Sequence, residues 1–73
     1  MKKTVVSNRI RELRFHANEM TQQQLADRIG VSRQTVVAIE KARYSPTLEL
    51  AFRIAHVFDV PLESVFHFDP MIC

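Results

Sequence analysis

Arg33, Gln34 and Lys41 put a guanidinium, a carboxamide and an ammonium group into the stretch "VSRQTVVAIEKARYSP", residues 31–46. In a helix, at about 100° per residue, Val36 and Ile39 define the inward side of this stretch. Gln34 and Lys41 then point almost directly away, flanked by Val37 and Ala38, with Arg33 and Thr35 at the margins. Arg43 and Tyr44 follow at once. A solvated helix face usually mixes Glu with Lys. This one leads with an arginine and a glutamine in its first turn and ends in cations and a tyrosine. Such a face is equipped to hydrogen-bond and pair charge with another molecule.

The charge distribution suggests what kind. Residues 1–45 hold nine Lys and Arg against four Asp and Glu, whereas residues 46–73 hold one Arg against four acids. The net charge of +2 therefore hides a basic half suited to a polyanion and an acidic half that is not. Other chemistries find no support. There is no Cys–His or Ser–His–Asp arrangement, no glycine-rich phosphate loop and no pair of inward carboxylates. His16, His56 and His67 lack metal-ligand spacing with Cys73. No enzyme activity, metal or cofactor is expected. A lone Cys73 cannot form an internal disulfide, which fits a reducing cytoplasm. No apolar run approaches the ~20 residues of a membrane span, so no membrane partner is expected either.

These side chains need a scaffold, and 73 residues suffice for one domain, 1–73. A single glycine and modest β-branched content favour helices. After the short apolar "TVV", Ile10, Leu13 and Ala17 recur at helical spacing, with Ser7 or Asn8 available as a cap. Thr21 and Gln24 form a capping-box pattern that opens a helix over about 21–29. Gly30 stops that helix, because glycine readily takes the left-handed conformation that follows a helix. Ser32 caps the next, about 32–41. Such a joint sets two helices at about 90–120°. Leu25, Ile29, Val31, Val36 and Ile39 supply its apolar inside, and Ala26 is small where the helices meet. Pro46 breaks the chain, and Thr47 caps a fourth helix, "LELAFRIAHVF", whose only polar stripe is Glu49, Arg53 and His56. A helix so apolar must be central or shared with another subunit. Pro61 suits the first position of a fifth, short helix, "PLESVF".

The stretch "MTQQQLADRIGVSRQTVVAIEKARYSPTLELAFRIAHVFDVPLESVF" resembles the helix-turn-helix domain of the lambda-repressor and Cro (XRE-type) family. The pattern "TQ..LA..IGVSRQT...IE" keeps residue types and spacing together. With "VVSN" before it and "VFHFDP" after it, the chain is more particularly similar to the small cytolysin-operon repressors. The resemblance implies an all-α, five-helix lambda-repressor-like domain, with "TVVS" and "VFHF" pairing as a two-stranded antiparallel ribbon. It also implies a regulator of transcription, most simply a repressor, that binds double-stranded DNA.

On that reading the helix at 32–41 enters the major groove. Gln34 suits adenine, Arg33 suits guanine or a phosphate, and Val37 and Ala38 suit thymine methyls. Gln22, Thr35, Lys41, Arg43 and Tyr44 are expected on the DNA backbone, Gln22 aided by its helix dipole. Gly30 and Ala26 are structural, as is an Arg14–Glu40 pair implied by the family. A homodimer on a pseudo-palindromic site is expected, with half-sites about 34 Å apart. Helix 4 and the residues after it, Phe58, Val65, Phe66 and Phe68 among them, are the expected dimer contacts. The alternative is an antitoxin-like interaction module whose apolar tail binds another protein. Two departures from the family stand out. Asn18-Glu19 replaces a single glycine and lengthens the loop after helix 1. Lys41-Ala42 replaces Asn-Gly, so either Ala42 is left-handed, at about 1 kcal/mol, or the helix runs on.

Overall fold

The computed structural model describes residues 6–68; the expectations for Thr4, Val5 and Cys73 fall outside them. The order is strand β1 (Val6–Asn8), helices α1 (Ile10–His16), α2 (Gln22–Ile29), α3 (Arg33–Glu40) and α4 (Leu48–Phe58), and strand β2 (Phe66–Phe68). A single 3₁₀ turn, Leu62–Ser64, lies between α4 and β2.

Three of the four helices open on the hydroxyl residues that the sequence offers for the purpose. Thr21 accepts from the Gln24 backbone N–H at 3.0 Å while the Gln24 side chain accepts from the Thr21 N–H at 2.8 Å, a complete capping box. Ser32 caps α3 at 3.2 Å and Thr47 caps α4 at 3.2 Å. Each such cap contributes about 1 kcal/mol by satisfying an amide that the helix itself cannot. α1 differs. Its N-cap position is Arg9, which makes no capping bond, and Asn8 accepts from the Ile10 N–H instead.

The helices enclose one core. Leu25, Ala26, Ile29, Val36, Ile39, Ile54 and Val65 are at most 1% exposed, and each large aliphatic side chain so enclosed stabilises the fold by about 1.5–3 kcal/mol. Val31 is half-buried at the edge of this cluster, and so is Leu13 of α1.

The five-helix expectation is corrected: the described residues form four α-helices and a two-stranded sheet. "PLESVF" does not continue as a helix because its backbone is engaged elsewhere. Pro61 is extended, with ψ at 157°, and the Val65 carbonyl accepts from the Arg9 N–H at 2.9 Å. Phe66 already pairs across the ribbon with Asn8. One turn is too short to repay helix nucleation against that competition. The ribbon is antiparallel, with Val6 opposite Phe68 and Ser7 opposite His67.

Candidate DNA-binding surface

Gly30, with φ at +76°, turns the chain between α2 and α3, and the cap on Ser32 then fixes the first turn of α3. This places Arg33 and Gln34 fully outward and leaves Thr35, Val37 and Ala38 half-buried along the flanks. Thr35 is less free than its type suggests, since its Oγ1 lies 3.0 Å from Ser32 Oγ.

Two hollows border the outer face of α3. One, of about 630 Å³, lies between α3 and the start of α2, lined by Arg11, Arg14, Gln22, Arg33, Val37 and Lys41 among others. The other, of about 420 Å³, is lined by Gln34, Thr35, Ala38, Arg43 and Tyr44. All nine residues expected on DNA therefore line one or the other. Among the described residues Arg11, Arg33 and Lys41 enter no ion pair, so their charge is available to an anion. Arg11 went unremarked in the sequence as a cleft residue. Its signal is the spacing to Arg14, one helical turn away on the same face.

The floor of the larger hollow is fixed by Glu40. Arg14 Nε and Nη2 donate to its two oxygens at 2.7 and 3.1 Å, and Gln22 Nε2 donates at 3.2 Å. The Arg14 and Glu40 side chains are only 14% and 9% exposed. Gln22 thus reaches the surface with one of its amide hydrogens already committed. The longer loop after α1 does not displace Arg14. Asn18 and Glu19 take successive left-handed conformations, φ +59° and +54°, and return Met20 to Arg14. The Met20 N–H donates to the Arg14 carbonyl at 2.9 Å, and Arg14 Nη1 donates to the Met20 carbonyl at 2.8 Å.

Ala42 is left-handed, with φ at +58°, so α3 ends at Glu40 and does not run on. Its N–H donates to the Ile39 carbonyl, and the Arg43 N–H to that of Ala38, both at 2.9 Å. These bonds turn Arg43 and Tyr44 toward the second hollow. Elsewhere, Glu12 hydrogen-bonds Arg9, which with the arginine's charge holds its carboxyl below the usual carboxylate range. That pair is exposed on the surface of α1.

A family model for helix-turn-helix proteins matches residues 10–65. This chain belongs to the helix-turn-helix family of DNA-binding transcriptional regulators. It is 51% identical over 61 residues to an uncharacterized HTH-type transcriptional regulator of Archaeoglobus fulgidus, covering 84% of each chain. It is 38% identical over 56 residues to RstR, the cryptic phage CTXphi transcriptional repressor of Vibrio cholerae, covering 77% of this chain and 50% of that one. Among solved structures, the restriction-modification controller protein C.AhdI from Aeromonas hydrophila superposes with a TM-score of 0.66 at 27% identity, covering 75% of this chain and 78% of that one.

The residues expected at a dimer contact are distributed unevenly. Val65 is fully enclosed by its own chain, and Phe58 and Phe66 are half-buried against the same core. Phe68 is 62% exposed, and so, to similar degrees, are Leu48 and Phe52, two residues that sequence reading did not single out. Leu48 and Phe52 are four apart on α4 and share a face. Leu48 also lines an apolar hollow of about 300 Å³ with Val6, Ala51, Leu62 and Phe66. Val6 pairs with Phe68, which makes these groups one region. Among the described residues no helix is long and apolar enough to cross a membrane.

Proposed function

We propose that this chain represses transcription by binding a pseudo-palindromic DNA operator as a homodimer, with α3 in the major groove. The observation that carries the reading is the outer face of α3. Arg33 and Gln34 stand exposed in its first turn, between two hollows whose rims hold Arg11, Lys41, Arg43 and Tyr44. Gln34 is assigned to adenine, Arg33 to guanine or phosphate, and Val37 and Ala38 to thymine methyls. Gln22, Thr35, Lys41, Arg43 and Tyr44 hold the backbone. The repressor RstR among its relatives supports the sign of regulation.

One such helix contacts too few bases for the ~10⁻⁸–10⁻¹¹ M affinities of specific complexes, so two copies are needed. The region of Leu48, Phe52 and Phe68 is the proposed dimer contact, since three large exposed apolar side chains grouped on a small protein mark an interaction surface.

Selection from a pool of random duplexes across a range of salt, together with sedimentation, tests the whole reading. A palindromic motif, a steep salt slope and a dimer at micromolar concentration are expected. Gln34→Ala should then cost about 1–3 kcal/mol and relax preference at one base pair. Lys41→Ala should weaken all sequences alike and flatten the salt slope by about one. Binding without a motif, or a monomer, would sink it and turn attention to a protein partner for the apolar region.

A further inference from the structure

Asn8 stands in β1, half-buried and paired with Phe66, and its side chain does two things at once. Its Oδ1 accepts from the Ile10 N–H at 3.2 Å, at the start of α1. Its Nδ2 donates to the Ile39 carbonyl at 2.8 Å, in the last turn of α3 and 31 positions away in sequence. Carbonyls in the last turn of a helix lack partners within the helix. This one accepts from Asn8 and from the Ala42 N–H together.

We propose that Asn8 is a positioning residue for DNA binding: by holding the Ile39 carbonyl it sets the exit turn of α3, and with it Lys41, Arg43 and Tyr44, against the DNA backbone. This rests on the DNA reading proposed above. The choice of residue follows from what the position requires. A carboxamide both donates and accepts through separate atoms. A carboxylate would present only acceptors to a carbonyl, and a serine hydroxyl has one oxygen on a shorter arm. The exit turn also lacks the devices that fix the entry to α3. It has no glycine at its left-handed position and no side chain of its own as a cap. Beyond its own backbone bonds from Lys41, Ala42 and Arg43, it is fixed relative to the rest of the domain by the contact from the ribbon. Hydrogen bonds to phosphate weaken steeply with misalignment, so a displacement of this turn removes one or two backbone contacts.

Asn8→Ser separates positioning from folding without changing charge, because serine can still accept from the Ile10 N–H in the same kind of turn but cannot also reach Ile39. Binding of the dimer to its selected operator would be measured from low to high salt. The variant should bind about three- to tenfold more weakly, the worth of one hydrogen bond. Its salt slope should be shallower by about one to two, at ~0.9 per lost phosphate contact. Base preferences read by Arg33 and Gln34 should stay those of the parent. A parental slope, whatever the affinity, would overturn the proposal, since a merely structural residue changes the folded fraction and not the contacts made by a bound molecule. Should Asn8→Ser fail to fold, hydrogen exchange of the Asn8 side-chain amide in the parent decides. Protection that persists in the DNA complex supports the assignment, and exchange at the rate of a free amide there overturns it. A parent that selects no motif refutes the DNA reading itself, an outcome distinct from a parent and variant that bind alike.

Discussion

α3 is entered and left through left-handed residues, and the two ends are built differently. At the entry, Gly30 takes φ +76° with no Cβ to oppose it, and Ser32 caps the first turn through its own side chain. These devices are local, with one longer-range addition, a 3.4 Å bond from Arg53 Nη1 to the Ile29 carbonyl. At the exit, Ala42 takes φ +58° against the preference of any residue with a Cβ. The helix end is held by Asn8 from the ribbon and, through Glu40, by Arg14 from α1 and Gln22 from α2. The local backbone bonds of this turn are joined by tertiary side-chain contacts where the entry has a glycine and a cap. The end that carries the exposed Arg33 and Gln34 is thus set largely by sequence within a few residues. The end that carries Lys41, Arg43 and Tyr44 depends in addition on the packing of the rest of the domain.

Breaking the tertiary side should have the larger effect. Glu40→Ala leaves the Arg14 guanidinium nearly enclosed with only the Met20 carbonyl as partner, and it frees Gln22. Loss of one partner from a mostly buried pair should cost on the order of 2–3 kcal/mol, the lower side of the range for fully buried ones, measured by urea denaturation. DNA affinity should fall further than folding alone explains, because Gln22 loses its anchor. The entry should respond more mildly. Gly30→Ala meets nothing closer than Arg53 Nη1, 3.7 Å from the new Cβ, an ordinary contact. Only the backbone preference is lost, about 1–2 kcal/mol. A loss beyond about 3 kcal/mol would mean that the joint is constrained by packing, and the contrast between the two ends would fail.

The same contrast explains how much could be read from sequence. Thr21, Gly30, Ser32 and Thr47 act within a few residues of themselves, so α2, α3 and α4 were legible to within a residue at each end. α4 occupies the stretch Leu48–Phe58 that was expected. The fifth helix failed because "PLESVF" is locally compatible with a helix, and what decides it is strand pairing with residues near the other end of the chain. Asn8 was visible as a cap and invisible as a link to Ile39, since no local pattern encodes a contact 31 residues away. The candidate DNA face was legible because periodicity alone separates Gln34 and Lys41 from Val36 and Ile39. Leu48 and Phe52 were not, because an apolar helix gives the same sequence signal whether a side chain packs inside or lies uncovered.

Ala42→Gly is the smallest expected effect and the sharpest on the comparison. Glycine removes the steric cost of the left-handed conformation, about 1–2 kcal/mol, but its unfolded state gains freedom worth roughly 0.5–1 kcal/mol. The net should be a gain of up to about 1 kcal/mol, seen as a small rise in melting temperature. Operator binding should not change, because Ile39 and Ala38 still receive their bonds and Asn8 still holds the turn. If stability rises and DNA binding falls, the alanine itself restrains the exit, and rigidity there matters beyond the Asn8 contact. If stability falls instead, Ala42 is not strained in solution, and the turn is held in some other conformation than the one that directs Arg43 and Tyr44 toward the second hollow.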